Sequence, residues 1–139
     1  MNKALLDTDI LSEVGKGIDP TVVRNAAAYR RVHGFLTLSV ISVMEVIQGY
    51  RRVGGSARIQ TFRDALAAEE VLAFDEPAAD LAGLMAGDLD RVGRPIGRCD
   101  PMIAAVAVRR GLELVTGNTS HYQRLQQLGY PLTLANWRV

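Results

Sequence analysis

Acidic and amide side chains stand directly after short apolar segments at several places in this sequence. Asp7 and Asp9 follow "ALL", Glu45 comes shortly after "GFLTLSV", and Asn118 follows "LELVT". Asp100 follows a loop rich in glycine and proline and opens a helical segment. Carboxylates in such positions bind hard cations or, where an aspartate attacks a phosphate, act as nucleophiles. Metal ligand and nucleophile are therefore the two chemical hypotheses for these residues.

Helix capping is a third explanation, and it needs no chemistry. Asp7 or Asp9 could cap a short helix, and Asp100 precedes a proline as a capping residue often does. Glu45 lies three residues after Ser42, which is the spacing of a capping box. Capping alone does not explain why polar residues follow several separate strands.

The hydrophobic pattern predicts that strands alternate with helices along the whole chain. Short apolar or β-rich runs predict strands at 4–6, 34–40, 71–74 and 112–116. Capping signals and helical periodicity predict helices at 19–32, 42–50, 56–68 and 100–111, with a long helix after Pro77 and another after 117. This alternation predicts an α/β fold with a mainly parallel sheet flanked by helices. Ligands bind at the carboxyl edge of such a sheet, where the polar residues are expected to meet.

Composition limits the classes of protein that this chain can be. With 48% hydrophobic and 22% charged residues, we expect residues 1–139 to form a single globular domain. Cys99 is the only cysteine, so a disulfide within the chain and a thiolate zinc site are both excluded. No signal peptide is evident and no apolar run approaches the roughly 18 residues of a membrane span, so we expect a cytoplasmic protein without a membrane partner. The net charge of +1 gives no global basic field for nucleic acid.

Convergence of Asp7, Glu45 and Asp100 within roughly 4 to 5 Å would require an offsetting positive charge. Each pair of carboxylates repels by about 1 kcal/mol in water and about 4 kcal/mol at an effective dielectric of 20. Three such pairs rival much of a domain's net stability of roughly 5 to 15 kcal/mol. Either one carboxyl is protonated or a divalent cation lies among them. Oxygen ligands favour Mg²⁺, with Mn²⁺ as the alternative, and we expect Asp7 and Asp100 to bind it directly and Glu45 partly through water.

Several motifs resemble, in order and spacing, those of the PIN-domain ribonucleases, specifically the toxins of bacterial VapBC toxin–antitoxin pairs. These motifs are "LLDTDIL", "SVISVMEVIQGY", "RPIGRCDPMIAAVAVRRG" and "LVTGNTSHYQRL", followed by the terminal "NW". The resemblance covers nearly the whole chain. It implies a PIN-like three-layer sandwich with a central mainly parallel sheet, and a metal-dependent endoribonuclease that a cognate antitoxin holds inactive.

The resemblance also assigns site residues position by position. Asp7, Glu45 and Asp100 match the family's first three acids, and Asp9 falls where the family commonly has asparagine or aspartate. His121 stands where some relatives have an acid, so the fourth acidic position holds no carboxylate here. A three-acid site could bind metal more weakly or hold one ion only. His121 is either a pH-sensitive substitute for that acid or an ordinary exposed or capping histidine.

The mechanism that the resemblance implies is in-line attack of a metal-activated water on an RNA phosphodiester. Asp7 and Asp100 would hold the ion, and Glu45 would orient a water or accept its proton. Asn118 or Thr116 would position water or phosphate, although Asn118 could instead cap the last helix.

Arginines near these acids are candidates for contacts with RNA phosphates. Arg94 and Arg98 lie in the loop before Asp100, and Arg51 and Arg52 follow the helix that carries Glu45. Each of them could equally be an ordinary solvated surface charge.

The expected partners are an RNA substrate, a cognate antitoxin and a second copy of the chain, and all three come from the resemblance. The helices containing "IQTFRDAL" and "DLAGLMAGDL" have apolar faces that could serve a partner. A catalytically inert PIN-fold module that binds RNA or protein is the alternative, and the missing fourth acid favours it. A phosphatase of the haloacid dehalogenase type also begins with Asp-x-Asp, but it needs a downstream lysine, and no lysine follows Lys16.

Overall fold

Five short strands and seven helices alternate along the chain in the computed structural model, which describes residues 1–139. The strands are β1 Ala4–Leu6, β2 Thr37–Ser39, β3 Glu70–Leu72, β4 Glu113–Val115 and β5 Leu134–Ala135. The helices are α1 Thr8–Lys16, α2 Pro20–His33, α3 Val40–Arg52, α4 Ser56–Leu66, α5 Glu76–Arg91, α6 Asp100–Arg110 and α7 Thr119–Gln127. The alternation predicted from the sequence is confirmed, and β5 is an additional strand that the pattern did not indicate.

Every strand pair in the structure is parallel. β4 lies between β1 and β5, and its register with β1 pairs Leu6 with Val115. β2 and β3 form a second parallel pair. The register between β1 and β4 brings the residues that follow these strands to the same edge of the sheet.

The hydroxyl of Tyr29 joins the two groups of strands. It accepts a hydrogen bond from the Ala4 amide and donates one to the Ala4 carbonyl, both at 3.1 Å, and it lies 3.1 Å from Thr37 Oγ1. Ala4 begins β1 and Thr37 begins β2, so a buried side chain here replaces backbone pairing between neighbouring strands. Without this hydroxyl, polar groups of the Ala4 backbone would lack a partner in the core.

Successive residues of β1 alternate between two cores on opposite faces of the sheet. Leu5 packs in a core formed with α5 and α6, to which Met85 and Ile103 belong. Ala4 and Leu6 belong to the other core, together with side chains of α1 and α2. The arrangement is therefore a parallel sheet between helix layers, as the sequence predicted. None of the helices is both long and apolar enough to pass through a bilayer.

Replacement of Tyr29 by phenylalanine tests the link between the strands. Because Y29F leaves the Ala4 amide and carbonyl without their buried partner, we expect the free energy of unfolding to fall by about 1 to 3 kcal/mol. Urea unfolding followed by Trp137 fluorescence measures this change. Y130F is the matched control, because the Tyr130 hydroxyl donates a hydrogen bond to Asp88 at a partly buried position and contacts no strand backbone. A Y29F loss no larger than the control loss would contradict the prediction.

Candidate active site

Asp7 lies at the carboxyl end of β1 and caps the N-terminus of α1. Its Oδ1 accepts a hydrogen bond from the Thr8 amide at 2.9 Å, and its Oδ2 accepts one from Thr116 Oγ1 at 2.8 Å. The residue is 4% exposed, and no lysine, arginine or histidine forms an ion pair with it. Asp7 is thus a buried carboxyl with neutral hydrogen-bond donors and no compensating charge.

The electrostatic consequence is a raised pKa. Burial, followed by the charge of Asp9 and a smaller contribution from Asp100, raises the pKa of Asp7 from 3.8 to about 7, against hydrogen bonds from Thr116 and Thr8 that lower it. A positive charge next to this carboxyl would restore its ionised form. Without such a charge, the protonated form of Asp7 is favoured up to about neutral pH.

Asp9 makes its contacts with groups other than Asp7. Its Oδ1 accepts a hydrogen bond from the Ile10 amide at 2.7 Å, and its Oδ2 accepts one from the Gly117 amide at 2.9 Å. Oδ2 also lies 3.4 Å from an Arg138 guanidinium nitrogen. Of the two aspartates that could have capped α1, Asp7 is the cap and Asp9 lies inside the first turn.

Glu45 lies in the middle of α3, and Thr8 fixes its carboxylate. Thr8 Oγ1 donates a hydrogen bond to Glu45 Oε1 at 2.6 Å and lies 2.9 Å from Ser42 Oγ. The capping-box interpretation of Ser42 and Glu45 is wrong, because Ser39 caps α3 and accepts a hydrogen bond from the Ser42 amide. Glu45 is therefore held beside the residue that follows Asp7.

Asp100 is the first residue of α6 and lies at the rim of the site. Its Oδ2 accepts a hydrogen bond from the Gly97 amide at 3.2 Å and lies 3.9 Å from His121 Nδ1. The capping interpretation of Asp100 is wrong in detail, because Cys99 occupies the cap position and no side chain caps α6. The Asp100 carboxylate closes the preceding turn instead, and a Cβ at residue 97 would lie only 2.9 Å from Oδ2.

Residues after β4 complete the edge. Thr116 is fully buried; its Oγ1 donates to Asp7 and accepts a hydrogen bond from the Asn118 amide at 3.0 Å. Asn118 occupies the cap position of α7, but its side chain makes no capping hydrogen bond, contrary to the capping interpretation. His121 is about half exposed and faces Asp100.

The carboxylates of Asp7, Glu45 and Asp100 each have their own hydrogen-bond donor. No three aspartate, glutamate, histidine or cysteine side chains form a ready-made metal-binding group in the structure. Each carboxylate is turned to its own donor instead: Asp7 to Thr116, Glu45 to Thr8, and Asp100 to the Gly97 amide. Uncompensated carboxylates repel one another, so each is most stable against a hydrogen-bond donor.

Tyr122 is a site residue that the sequence did not indicate. It is fully buried in α7, and its hydroxyl has no hydrogen-bond partner of acceptable geometry. Burial raises its pKa above the ordinary value, and the nearby charges of Asp7 and Asp100 raise it further. Its position on the buried face of a helix predicts only packing, so no sequence signal distinguishes this tyrosine from a core residue.

The arginines before Asp100 have different environments. Arg94 donates a hydrogen bond to Gln127 at 2.9 Å, and Arg124 of α7 donates one to the Pro95 carbonyl at 2.8 Å. These bonds attach the loop to α7. Arg98 is exposed and makes no hydrogen bond or ion pair. Arg51 and Arg52 are exposed at the C-terminal end of α3, and their side chains make no hydrogen bond or ion pair either.

Comparison with known proteins gives a consistent result. The family model described as PIN domain matches residues 4–126. The chain is 33% identical over 126 residues to a tRNA(fMet)-specific endonuclease VapC of Shigella flexneri, covering 90% of this chain and 93% of that one. It is 32% identical over 138 residues to ribonuclease VapC10 of Mycobacterium tuberculosis, covering 96% of each.

Solved structures agree with this result. A DNA-bound VapBC of Salmonella typhimurium superposes with a TM-score of 0.80 at 28% identity, covering 99% of each chain. VapBC-1 of nontypeable Haemophilus influenzae superposes with a TM-score of 0.78 at 26% identity, covering 98% of each.

The raised pKa of Asp7 predicts a specific effect on stability. A folded-state pKa above the unfolded value means that the native state binds more protons, so this acid lowers stability as pH rises from about 4 to about 7. In chelator-treated protein at pH 8, we therefore expect D7N to raise the free energy of unfolding by about 2 to 4 kcal/mol. The gain should shrink at pH 5, where the native carboxyl is protonated.

Urea unfolding of D7N and the unmutated chain at both pH values measures this difference. The control is D80N, because Asp80 is an exposed residue of α5 without a hydrogen bond or ion pair. Equal stability of D7N and the unmutated chain at pH 8 would show that burial does not penalise this charge.

Proposed function

This chain belongs to the PIN-domain family, and we propose that it is a metal-dependent endoribonuclease that acts as the toxin of a toxin–antitoxin pair. We propose that residues 1–139 form a single PIN domain. The relatives named as VapC endonucleases or ribonucleases support the reaction class, and the VapBC structures support an antitoxin partner. The observation that carries the proposal is the buried, uncompensated Asp7 carboxyl at the carboxyl edge of the sheet.

The donors at this edge fit a hard divalent cation. Burial and the charge of Asp9 raise the pKa of Asp7, so a cation beside it would be favourable, and the groups around it present oxygen rather than sulfur. We assign Asp7 and Asp100 as the direct ligands, and Mg²⁺, or Mn²⁺, as the ion. The cation supplies Lewis acidity to a phosphodiester and to the attacking water.

The other residues of the site orient these two acids and the substrate. Thr116 fixes Oδ2 of Asp7 and the Thr8 amide fixes Oδ1, and each oxygen keeps a second lone pair for the ion. Glu45 accepts the proton of the attacking water or orients that water, and Thr8 holds it within reach. Asn118 has a free side-chain amide at the start of α7, which is suited to donate to a phosphate oxygen.

Two further residues act at the rim. His121 faces Asp100 and assists it in place of the missing fourth acid. Arg98 is free to pair with an RNA phosphate, whereas Arg94 is committed to Gln127 and contributes mainly by fixing the loop.

The antitoxin binds in an apolar cavity on the α1–α4 side of the molecule. This cavity has a volume of about 290 Å³ and is lined mostly by hydrophobic side chains, including Leu11, Val46, Phe62 and Leu66. Of the two helices that the sequence indicated for a partner, the one containing "IQTFRDAL" is α4 and lines this cavity. A helix with an apolar face would bury these side chains. We also expect the chain to form a homodimer.

A catalytically inert PIN-fold module that binds RNA or protein is the second candidate. The observation in its favour is the stretch 118–121, which has no carboxylate. The phosphatase alternative lacks its lysine, since Lys3 pairs with Glu70 on β3 and Lys16 ends α1.

Substitution of the two proposed ligands tests the reaction. We expect D7N/D100N to reduce Mg²⁺-dependent cleavage of total RNA by at least about 100-fold, because it removes both direct anionic ligands of the ion. The measurement is cleavage rate against Mg²⁺ concentration, with D80N as control. Undiminished cleavage in the double variant would reject the metal-site assignment, and no cleavage by the unmutated chain would favour the inert module.

Substitution in the apolar cavity tests the partner surface separately. We expect L66R to weaken binding of the co-expressed antitoxin by at least about 10-fold, because a charge enters an apolar interface, while RNA cleavage by the isolated chain remains. L84R is the control, since Leu84 is exposed on α5 and lies outside the cavity. Equal binding by L66R and the unmutated chain would place the antitoxin elsewhere.

A further inference from the structure

Arg138, three residues after β5, reaches back to the edge of the site. Its Nε and Nη2 donate to Glu13 Oε1 at 2.8 and 2.7 Å, and Nη2 lies 3.4 Å from Asp9 Oδ2. The guanidinium therefore bridges two acids of α1. Asp9 is two residues from Asp7, so this bridge acts on the carboxylate that lies nearest in sequence to the proposed metal ligand.

Neighbouring residues determine where the guanidinium lies. Trp137 is buried and packs against Tyr29, with ring centroids 5.7 Å apart, and its carbonyl accepts a hydrogen bond from Asn25. The Arg138 amide donates to Asn136 Oδ1 at 2.9 Å. The backbone on both sides of the arginine is thus fixed, which lowers the entropy lost when the guanidinium forms its ion pairs.

Gly117 provides the space that the guanidinium occupies. A Cβ at residue 117 would overlap the Arg138 guanidinium and would lie 2.7 Å from Asp9 Oδ2, so any side chain there would displace the arginine and crowd the carboxylate. The Gly117 amide also donates to Asp9 Oδ2, so one residue both holds the carboxylate and makes room for its counter-ion. Glycine at this position serves close approach, because its φ is not in the left-handed region.

We propose that Arg138 is a positioning residue that holds the Asp9 carboxylate out of the metal-binding site. The inference rests on the proposed function and deepens it. The Ile10 and Gly117 amides each donate a hydrogen bond to one oxygen of Asp9. Arg138 offsets the negative charge of Asp9, which would otherwise attract a cation bound beside Asp7. Asp7 and Asp100 then remain as the acids free to bind the ion.

A double-mutant cycle on metal affinity tests the inference, with the unmutated chain, R138A, D9N and D9N/R138A titrated with Mn²⁺ in a calorimeter. We expect R138A to bind Mn²⁺ about three- to tenfold more tightly than the unmutated chain, because Asp9 then keeps only its two neutral amide donors and its negative charge is no longer offset. In the D9N background the same arginine substitution should change the affinity by less than about twofold, since residue 9 then carries no charge for the arginine to offset. General loss of stability would not produce this tightening.

Two further variants test whether the effect comes from the loss of a positive charge anywhere in the chain or from the location of Arg138 beside Asp9. R110A removes the same charge at the end of α6 opposite Asp100 and should leave Mn²⁺ affinity within about twofold of the unmutated chain. G117A should tighten Mn²⁺ binding in the same direction as R138A, because the added methyl group takes the place of the guanidinium and crowds Asp9 Oδ2 at 2.7 Å. Both variants keep all proposed ligands.

The possible failures are distinguishable. An R138A effect of equal size with Asp9 and in the D9N background would overturn the inference and leave the proposed function standing, because Arg138 would then act through overall charge. No change in Mn²⁺ affinity in R138A would overturn it as well. An unmutated chain that neither binds millimolar Mn²⁺ nor cleaves RNA would refute the proposed function, and with it the metal site on which Arg138 is proposed to act.

Discussion

The hydrogen bond from Thr116 to Asp7 connects the ends of two neighbouring parallel strands, and the geometry of the site depends on it. Leu6 pairs with Val115, so the next residue of each strand reaches the same level at the sheet edge. The Asp7 amide extends this pairing by donating to the Val115 carbonyl at 2.9 Å. A buried carboxyl is tolerated here because the strand pairing supplies its hydrogen-bond donor at a fixed position.

Burial of this carboxyl lowers the stability of the chain at neutral pH and prepares the carboxyl to bind a cation. Burial gives Asp7 a raised pKa and therefore a free-energy penalty at neutral pH, which a cation bound to the carboxylate would offset. The unpartnered hydroxyl of Tyr122 adds to the polar groups that the fold leaves incompletely satisfied next to Asp7. Such groups concentrate where a site is arranged for a ligand that is not part of the chain.

The sequence predicts the fold better than it predicts the contacts within the site. Apolar runs and caps locate strands and helices because burial and capping are local properties, as Asp19 and Asp75 illustrate by capping α2 and α5. β5 escaped prediction because it is only two residues long, Leu134–Ala135, and is identified by its pairing with β4. Thr8 and Arg138 escaped prediction because their partners lie 37 and 125 residues away, at Glu45 and Glu13, and no local pattern encodes such contacts.

The stretch Asp7-Thr8-Asp9 shows why local structure decides the role of each acid. In a continuing strand, residues 7 and 9 would lie on the same face and two carboxylates would enter one site. Helix α1 instead begins at Thr8, and each helical residue turns by about 100° from the last, so the three side chains diverge. Asp7 faces Thr116, Thr8 faces Glu45, and Asp9 faces Gly117. The immediate change from strand to helix therefore leaves one acid of the pair at the site and assigns the other to the ion pair with Arg138.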